Sequence, residues 1–266
     1  MARAMANDKK AGHQAAILDQ FTRQAVPFSN QPAHSQEIFL ELLLQMSGVG
    51  PADTVLDVAC GPGLVALAFA ARARHVTGID LTPAMITRAQ EIQQERKLTN
   101  LTWQVGDVLD LPYPDASFSL VVSRYAFHHF LEPQAVFAEM VRVCNTGEGR
   151  VLVADVAMLP EKREAFDRVE KLRDPSHVRN LAPVELSEMA ARLNLRDLRT
   201  RFFKTERNLE VHLQASFPNP GDKEKIRKIF REDIGKDDLG VGAHWRDKEI
   251  YFAYPIMVLV GRKAGD

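Results

Sequence analysis

The chain has 266 residues, 45% of them hydrophobic, enough apolar material for one large α/β domain or two small ones and too much for a largely disordered chain. Lys and Arg number 34 against 35 Asp and Glu, a formal net charge of −1, which argues against the concentrated basic surface of a nucleic-acid binder. Cys60 and Cys144 lie too far apart for a metal-ligand spacing or a disulfide scaffold, no apolar signal segment opens Met1–Lys10, and no run approaches the roughly 18 residues of a membrane span, so a cytoplasmic, metal-free protein is expected.

Residues 1–13 carry small and charged side chains and read as a loose tail within an N-terminal segment, 1–35, ahead of one domain over 36–266. Ile38, Phe39, Leu42, Leu43 and Met46 recur at helical spacing over Gln36–Met46, and Gly48, Gly50 and Pro51 stop that helix. A strand at Thr54–Val58, a glycine turn and a helix at Leu64–Ala71 follow, then a second strand at His75–Ile79. Thr82-Pro83 supplies an N-cap residue and a proline at the first helical position for a helix through Met85, Ala89 and Ile92. Further strands are expected at Leu101–Val105, Phe118–Val122 and Val151–Asp155, with a helix from Pro133 facing Val136, Phe137, Met140 and Val141 inward. Short unbroken apolar strands alternating with helices predict an α/β fold, a doubly wound, mostly parallel sheet. Beyond Asp155 the residues about 157–181 are charged and irregular; a helix at Glu185–Leu193 and strands at Leu198–Phe203 and Ile250–Val260 are expected. Residues about 205–248 are too long for a structureless loop and, with 157–181, read as helical lid elements; Ile226, Ile229 and Phe230 have helical spacing, and the basic run Lys223–Arg231 reads as a solvated helix face.

The chemistry concentrates in Val55-Leu56-Asp57-Val58-Ala59-Cys60-Gly61-Pro62-Gly63. Glycines after a strand allow a tight turn and let a ligand approach the backbone. Asp57 beside that turn would repel a pyrophosphate and suits a ligand carrying an ammonium group. Asp80, 17 residues beyond Gly63 at the end of the second strand, can accept both hydroxyls of a ribose. Asp107, past the third strand, can accept from an adenine amino group while Leu81, Met85 and Val108 cover the ring. Three acids at the C-terminal ends of three successive strands face the crevice where open parallel sheets bind ligands.

Residues from about 52 to 156 resemble the class I S-adenosylmethionine-dependent methyltransferases, in particular the small-molecule branch of ubiquinone/menaquinone-biosynthesis enzymes. The family pattern of strand, acid, glycine loop and two further acids falls on Asp57, Gly61, Gly63, Asp80 and Asp107; Phe118–Phe130 resembles the fourth strand with its following loop, and Val141–Gly149 the turn into the fifth. The resemblance implies a seven-stranded Rossmann-like sheet and S-adenosyl-L-methionine as cofactor, held by Asp57, Ala59, Gly61, Gly63, Asp80, Leu81, Met85, Asp107, Val108 and Arg124. It implies methyl transfer to a small-molecule acceptor by in-line displacement. A weaker likeness at Phe21–Phe28 and Arg173–Asn180 to methyltransferases of heterocyclic metabolites implies that residues 1–35 cover the cofactor and that Phe28 and Arg179 touch substrate; Tyr125, which follows the fourth strand where the reacting methyl should lie, is expected to touch it too. Any general base is expected at His128 or His177, with His129 packing structurally. Phe202, Phe203, Phe217, Trp245 and Tyr251 point to a cyclic or aromatic acceptor.

Ala59, Ser119, Cys144 and Glu148 depart from the family pattern; Ala59 stands where the first glycine is usual and is tolerated if its φ is negative. Two other readings use the same residues. Gly61-x-Gly63-x-x-Ala66 with an acid beyond also matches an NAD(P)-dependent oxidoreductase, against which stand Asp57 and Asp107. A non-catalytic S-adenosylmethionine-binding regulator would not need the elaborate region 157–248.

Overall fold

The apolar runs form the centre of the sheet in a computed structural model that describes residues 2–29 and 33–265, with side chains described except at 2–7, 9, 28 and 33–36. Strands β1 (Thr54–Val58), β2 (His75–Asp80), β3 (Leu101–Val105), β4 (Leu120–Arg124) and β5 (Arg150–Val156) lie parallel in the order β3-β2-β1-β4-β5. The antiparallel β8 (Glu249–Lys263) joins β5, and β6 (Leu195–Asn208) closes the far edge against β8. These make the expected seven strands; a three-residue β7 (His244–Arg246) adds an eighth beside β8. The order reverses between β1 and β4, which opens a crevice at the strands' C-terminal ends.

Both sheet faces are covered, because alternate residues of one strand point opposite ways. Leu120, Val122, Leu152 and Ala154 pack with Phe39 and Leu43 of α2 (Ala33–Ser47) and Leu67 of α3 (Leu64–Ala70). Val121, Val151 and Val153 pack with Val136, Phe137 and Met140 of α5 (Pro133–Val143) and Leu186 of α7 (Pro183–Arg192). This is the doubly wound arrangement. In α4 (Pro83–Glu95) Thr82 holds the N-cap position and Pro83 follows it, but the Thr82 hydroxyl makes no capping bond. Asp80 Oδ1 accepts from the Thr82 N–H instead, at 2.8 Å.

Three expectations need correction. The loose tail at 1–13 is part of a 28-residue helix, α1 (Ala2–Ser29), whose inward face carries Gln20, Gln24 and Ala25 rather than an apolar stripe, so hydrophobic periodicity gave no sign of it. Strand β4 starts at Leu120, and Phe118 makes only an isolated bridge to Cys144. The irregular stretch after Asp155 contains α6 (Pro160–Arg173), which buries Phe166 and Val169 at helical spacing. The segment 205–248 forms α8 (Leu209–Gln214), α9 (Asp222–Asp233) and β7. Ile226 and Phe230 of α9 join the same core as Phe166, and the basic residues of α9 pair outward with Asp222, Glu210 and Glu232. Among the described residues no helix is long and apolar enough to cross a membrane.

Candidate active site

The turn leaving β1 alternates left-handed residues: Ala59 at φ 55°, Gly61 at 54° and Gly63 at 78°. The Cys60 N–H donates to Ile79 O and the Gly63 N–H to Cys60 O, both at 3.0 Å, pinning the turn against β2. Ala59 therefore lacks the negative φ expected of it and carries roughly 1–2 kcal/mol of left-handed strain. Gly63 has no room for a side chain, since a Cβ would stand 2.4 Å from the Trp103 ring; its role is packing against β3 and α4.

Asp57 is 1% exposed beneath the turn and accepts from the Ala66 N–H of α3 at 2.9 Å. Burial lifts its pKa to about 7 against the opposing pull of that N–H and of Arg124, with Asp80 adding to the rise. Asp80 Oδ2 accepts from the Gly61 N–H at 2.8 Å while Oδ1 takes the Thr82 N–H, so two backbone bonds aim its carboxylate into the crevice. Burial raises its pKa too. Asp107 bonds the Leu109 N–H at 3.0 Å and Gln14 of α1 at 2.9 Å, with Lys10 at 3.5 Å. Cys60 is buried beside Asp57 and Asp80, and burial with both charges pushes its thiol well up, so it is no nucleophile.

Above the turn lies a cavity lined by Ala59, Gly61, Asp80, Leu81, Met85, Asp107 and Val108 and roofed by Lys10, His13, Gln14, Ile17 and Phe21 of α1. His13 donates to His129 O at 2.7 Å and fixes the roof. Arg124, Tyr125, His129 and Phe21 separate this cavity from a second chamber at the ends of β4 and β5. Tyr125 there has φ 56°, a strained setting for a bulky residue; Phe39 stacks on its ring at 5.7 Å and the Arg124 guanidinium lies over it at 4.5 Å. His128 Nδ1 bonds Asp155 Oδ1 at 2.7 Å, which leaves Nε2 as the basic nitrogen. Burial disfavours the His128 cation, but the Asp155 charge and hydrogen bond outweigh it and raise its pKa. Burial and the neighbouring His128 keep His129 neutral.

Of the side chains expected from sequence, Asp80, Leu81, Met85, Asp107, Val108, Arg124 and Tyr125 meet around the two spaces, as does His128 in the second. Asp57 and Gly63 support the turn from below and line neither. His177 sits behind His128, bonded to Asp167 at 2.9 Å, and Arg179 pairs with Glu185 at 2.9 Å on the half-exposed surface. Neither lines either of these two spaces, and nor do Phe202, Phe203, Phe217, Trp245 or Tyr251. Phe28 lies in α1 with its side chain outside the described residues. Sequence reasoning missed Gln14, Asp155, Glu170, Arg173, Arg207, His212 and Tyr254. Only Asp155 left a signal, as a further acid at the end of a parallel strand.

A family model described as a methyltransferase domain matches residues 55–147, the stretch that carries the turn, Asp80 and Asp107. The uncharacterized methyltransferase YcgJ of Bacillus subtilis (strain 168) is 30% identical over 251 residues, covering 91% of this chain and 97% of the relative. The crystal structure of YcgJ superposes with a TM-score of 0.79 at 24% identity, covering 88% of this chain and all of that one. The geranyl diphosphate C-methyltransferase of Streptomyces coelicolor A3(2), solved with S-adenosyl-L-homocysteine, shares the fold at TM-score 0.58 and 16% identity over 86% of this chain and 79% of its own. Since the likeness to YcgJ runs through both proteins almost end to end, the chain belongs to the class I S-adenosylmethionine-dependent methyltransferases.

Proposed function

We propose that the cavity under α1 holds S-adenosylmethionine and that the adjoining chamber presents a small molecule to its methyl group. The observation that carries this reading is the setting of Asp80. Each of its oxygens takes one backbone N–H and keeps a lone pair, which supplies the two acceptors that ribose hydroxyls need. Leu81, Met85 and Val108 offer apolar faces for a flat ring. Asp57 under the turn opposes a pyrophosphate and disfavours a dinucleotide oxidoreductase. A bare sensor of the cofactor has no use for a second chamber with a histidine–aspartate pair, which disfavours the regulator.

The bound cofactor supplies a methyl group on a sulfonium, a good leaving group. The chain's own residues then orient, exclude water and move one proton. α1 roofs the cavity and keeps it dry, and fixing two reactants in attack geometry is worth up to roughly 7–11 kcal/mol. Where the acceptor must lose a proton, His128 Nε2 receives it and Asp155 stabilises the cation, a contribution of typically 10²–10⁴-fold. Arg124 and Tyr125 stand between the two spaces and border the acceptor.

Asp80→Asn tests the assignment by calorimetry with S-adenosylhomocysteine. The amide keeps one carbonyl acceptor for the turn but offers the ribose a donor, so affinity should fall at least tenfold. Unchanged affinity overturns the ribose contact and the cofactor site with it.

A further inference from the structure

One face of α1 lies over the first cavity: Lys10, His13, Gln14, Ile17 and Phe21 recur at helical spacing, and all line it. Ile17 and Phe21 present apolar surface, whereas Gln14 brings a carboxamide, with one acceptor oxygen and two N–H donors. Asp107 decides which way that carboxamide faces. Its Oδ2 accepts from Gln14 Nε2 at 2.9 Å, and an ionised carboxylate can only accept, so the NH2 end must point at it. Gln14 Oε1 then faces away from Asp107, and one N–H of the amide remains to donate. Asp107 itself is largely committed, since Oδ1 accepts from the Leu109 N–H at 3.0 Å and Lys10 Nζ stands 3.5 Å from Oδ2. The helix is fixed at this point, because His13, one residue before, donates to the His129 carbonyl at 2.7 Å.

The base of a bound nucleoside belongs beneath this amide. With its ribose on Asp80 at the end of β2, the base falls toward the neighbouring strand β3, among Leu81, Met85 and Val108. The edge of adenine that carries the amino group presents that donor next to a ring-nitrogen acceptor. A glutamine amide, with its acceptor beside a donor, is the bidentate complement of that edge.

We infer that Gln14 reads the base of the methyl donor: positioned by Asp107, its Oε1 accepts from the adenine amino group and its remaining N–H donates to the adjacent ring nitrogen. This rests on the reading of the first cavity as the methyl-donor site. Asp107, expected from sequence to meet adenine, then acts through Gln14 as a positioning residue. Base recognition and closure of the roof become one event, since Gln14 reaches adenine only while α1 lies over the cavity.

The test is calorimetric titration with S-adenosylhomocysteine and with S-inosylhomocysteine, in which a carbonyl oxygen replaces the amino group. Wild type should prefer the adenosyl compound by about tenfold or more, because the inosine oxygen meets Gln14 Oε1 acceptor to acceptor. Gln14 is half-buried, and leucine is as good a helix former as glutamine, so Gln14→Leu keeps α1 intact. The variant should bind S-adenosylhomocysteine about tenfold more weakly and S-inosylhomocysteine within about threefold of wild type, which also shows that it folds. A Gln14→Leu variant that keeps the wild-type preference, with both affinities unchanged or both lowered together, reduces Gln14 to packing in the roof and overturns the inference. Wild type that binds both compounds equally overturns it too, while the donor site stands. Failure of wild type to bind either compound overturns the donor site itself, and this inference with it.

Discussion

Asp57→Asn isolates the electrostatic cost of the turn. The carboxyl is buried and its pKa stands at about 7 against an ordinary 3.8. At 1.36 kcal/mol for each pKa unit, this corresponds to about 4 kcal/mol. The native state holds a proton that the unfolded chain has released between those two values, so stability is full below pH 3.8 and falls as pH rises to 7. About 2–3 kcal/mol of the loss falls between pH 5 and pH 8. Asparagine keeps an acceptor for the Ala66 N–H and removes the titration. Urea denaturation across that range should therefore show wild type losing about 2–3 kcal/mol relative to the variant, with the variant the more stable at pH 8. Parallel stability curves for the two proteins would refute the buried-carboxyl reasoning.

Ala59→Gly removes roughly 1–2 kcal/mol of left-handed strain and adds about 0.4–1 kcal/mol of unfolded-chain entropy, so a gain of zero to about 1.5 kcal/mol is expected by denaturant midpoint. Gly63→Ala should instead cost more than about 2 kcal/mol, because a methyl group 2.4 Å from Trp103 adds overpacking to a φ of 78°; a melting temperature equal to wild type would contradict the packing. His128→Ala should lower kcat by roughly 10²–10⁴ for an acceptor that must be deprotonated, with cofactor affinity little changed. Asp155→Asn should move the acid limb of the wild-type pH–rate profile to lower pH, since the charge that raises the His128 pKa is gone. A profile that stays in place would leave the pair a packing feature.

Most of the sheet was legible because each central strand is a short apolar run between a turn and a helix, and such runs are set by local composition. Boundaries drifted where tertiary pairing decided them, as at β4, where Phe118 forms an isolated bridge opposite Cys144 instead of joining the strand. α1 was invisible for a different reason. Its contacts are hydrogen bonds from Gln14, Gln20 and Gln24 to partners 93, 197 and 150 residues away, and no local pattern encodes an amide's distant partner. The Ala59 backbone was misjudged because the turn's two hydrogen bonds, not the residue, impose its φ.

The candidate site divides along the same line. The half assigned to the cofactor comes from strand ends β1 to β3 and their turns, within about fifty residues, where an acid's place in a strand–turn–helix unit already states what it can touch. The half assigned to the acceptor draws Arg124, Arg173, Arg207 and Tyr254 from β4, α6, β6 and β8, and only the fold brings them together. Arg124 and Arg173 stand in stretches that resemble the family, but Arg207 and Tyr254 stand in none, and each of these two alone reads as a surface cation or a core aromatic. The separation has a physical consequence. β6, α6 and α8 border the second chamber and not the first, so substitutions there change the charge and size of the acceptor space while Asp80 and its turn keep their geometry. Acceptor choice in this fold can therefore vary with elements that follow β5, at no cost to the machinery that precedes it.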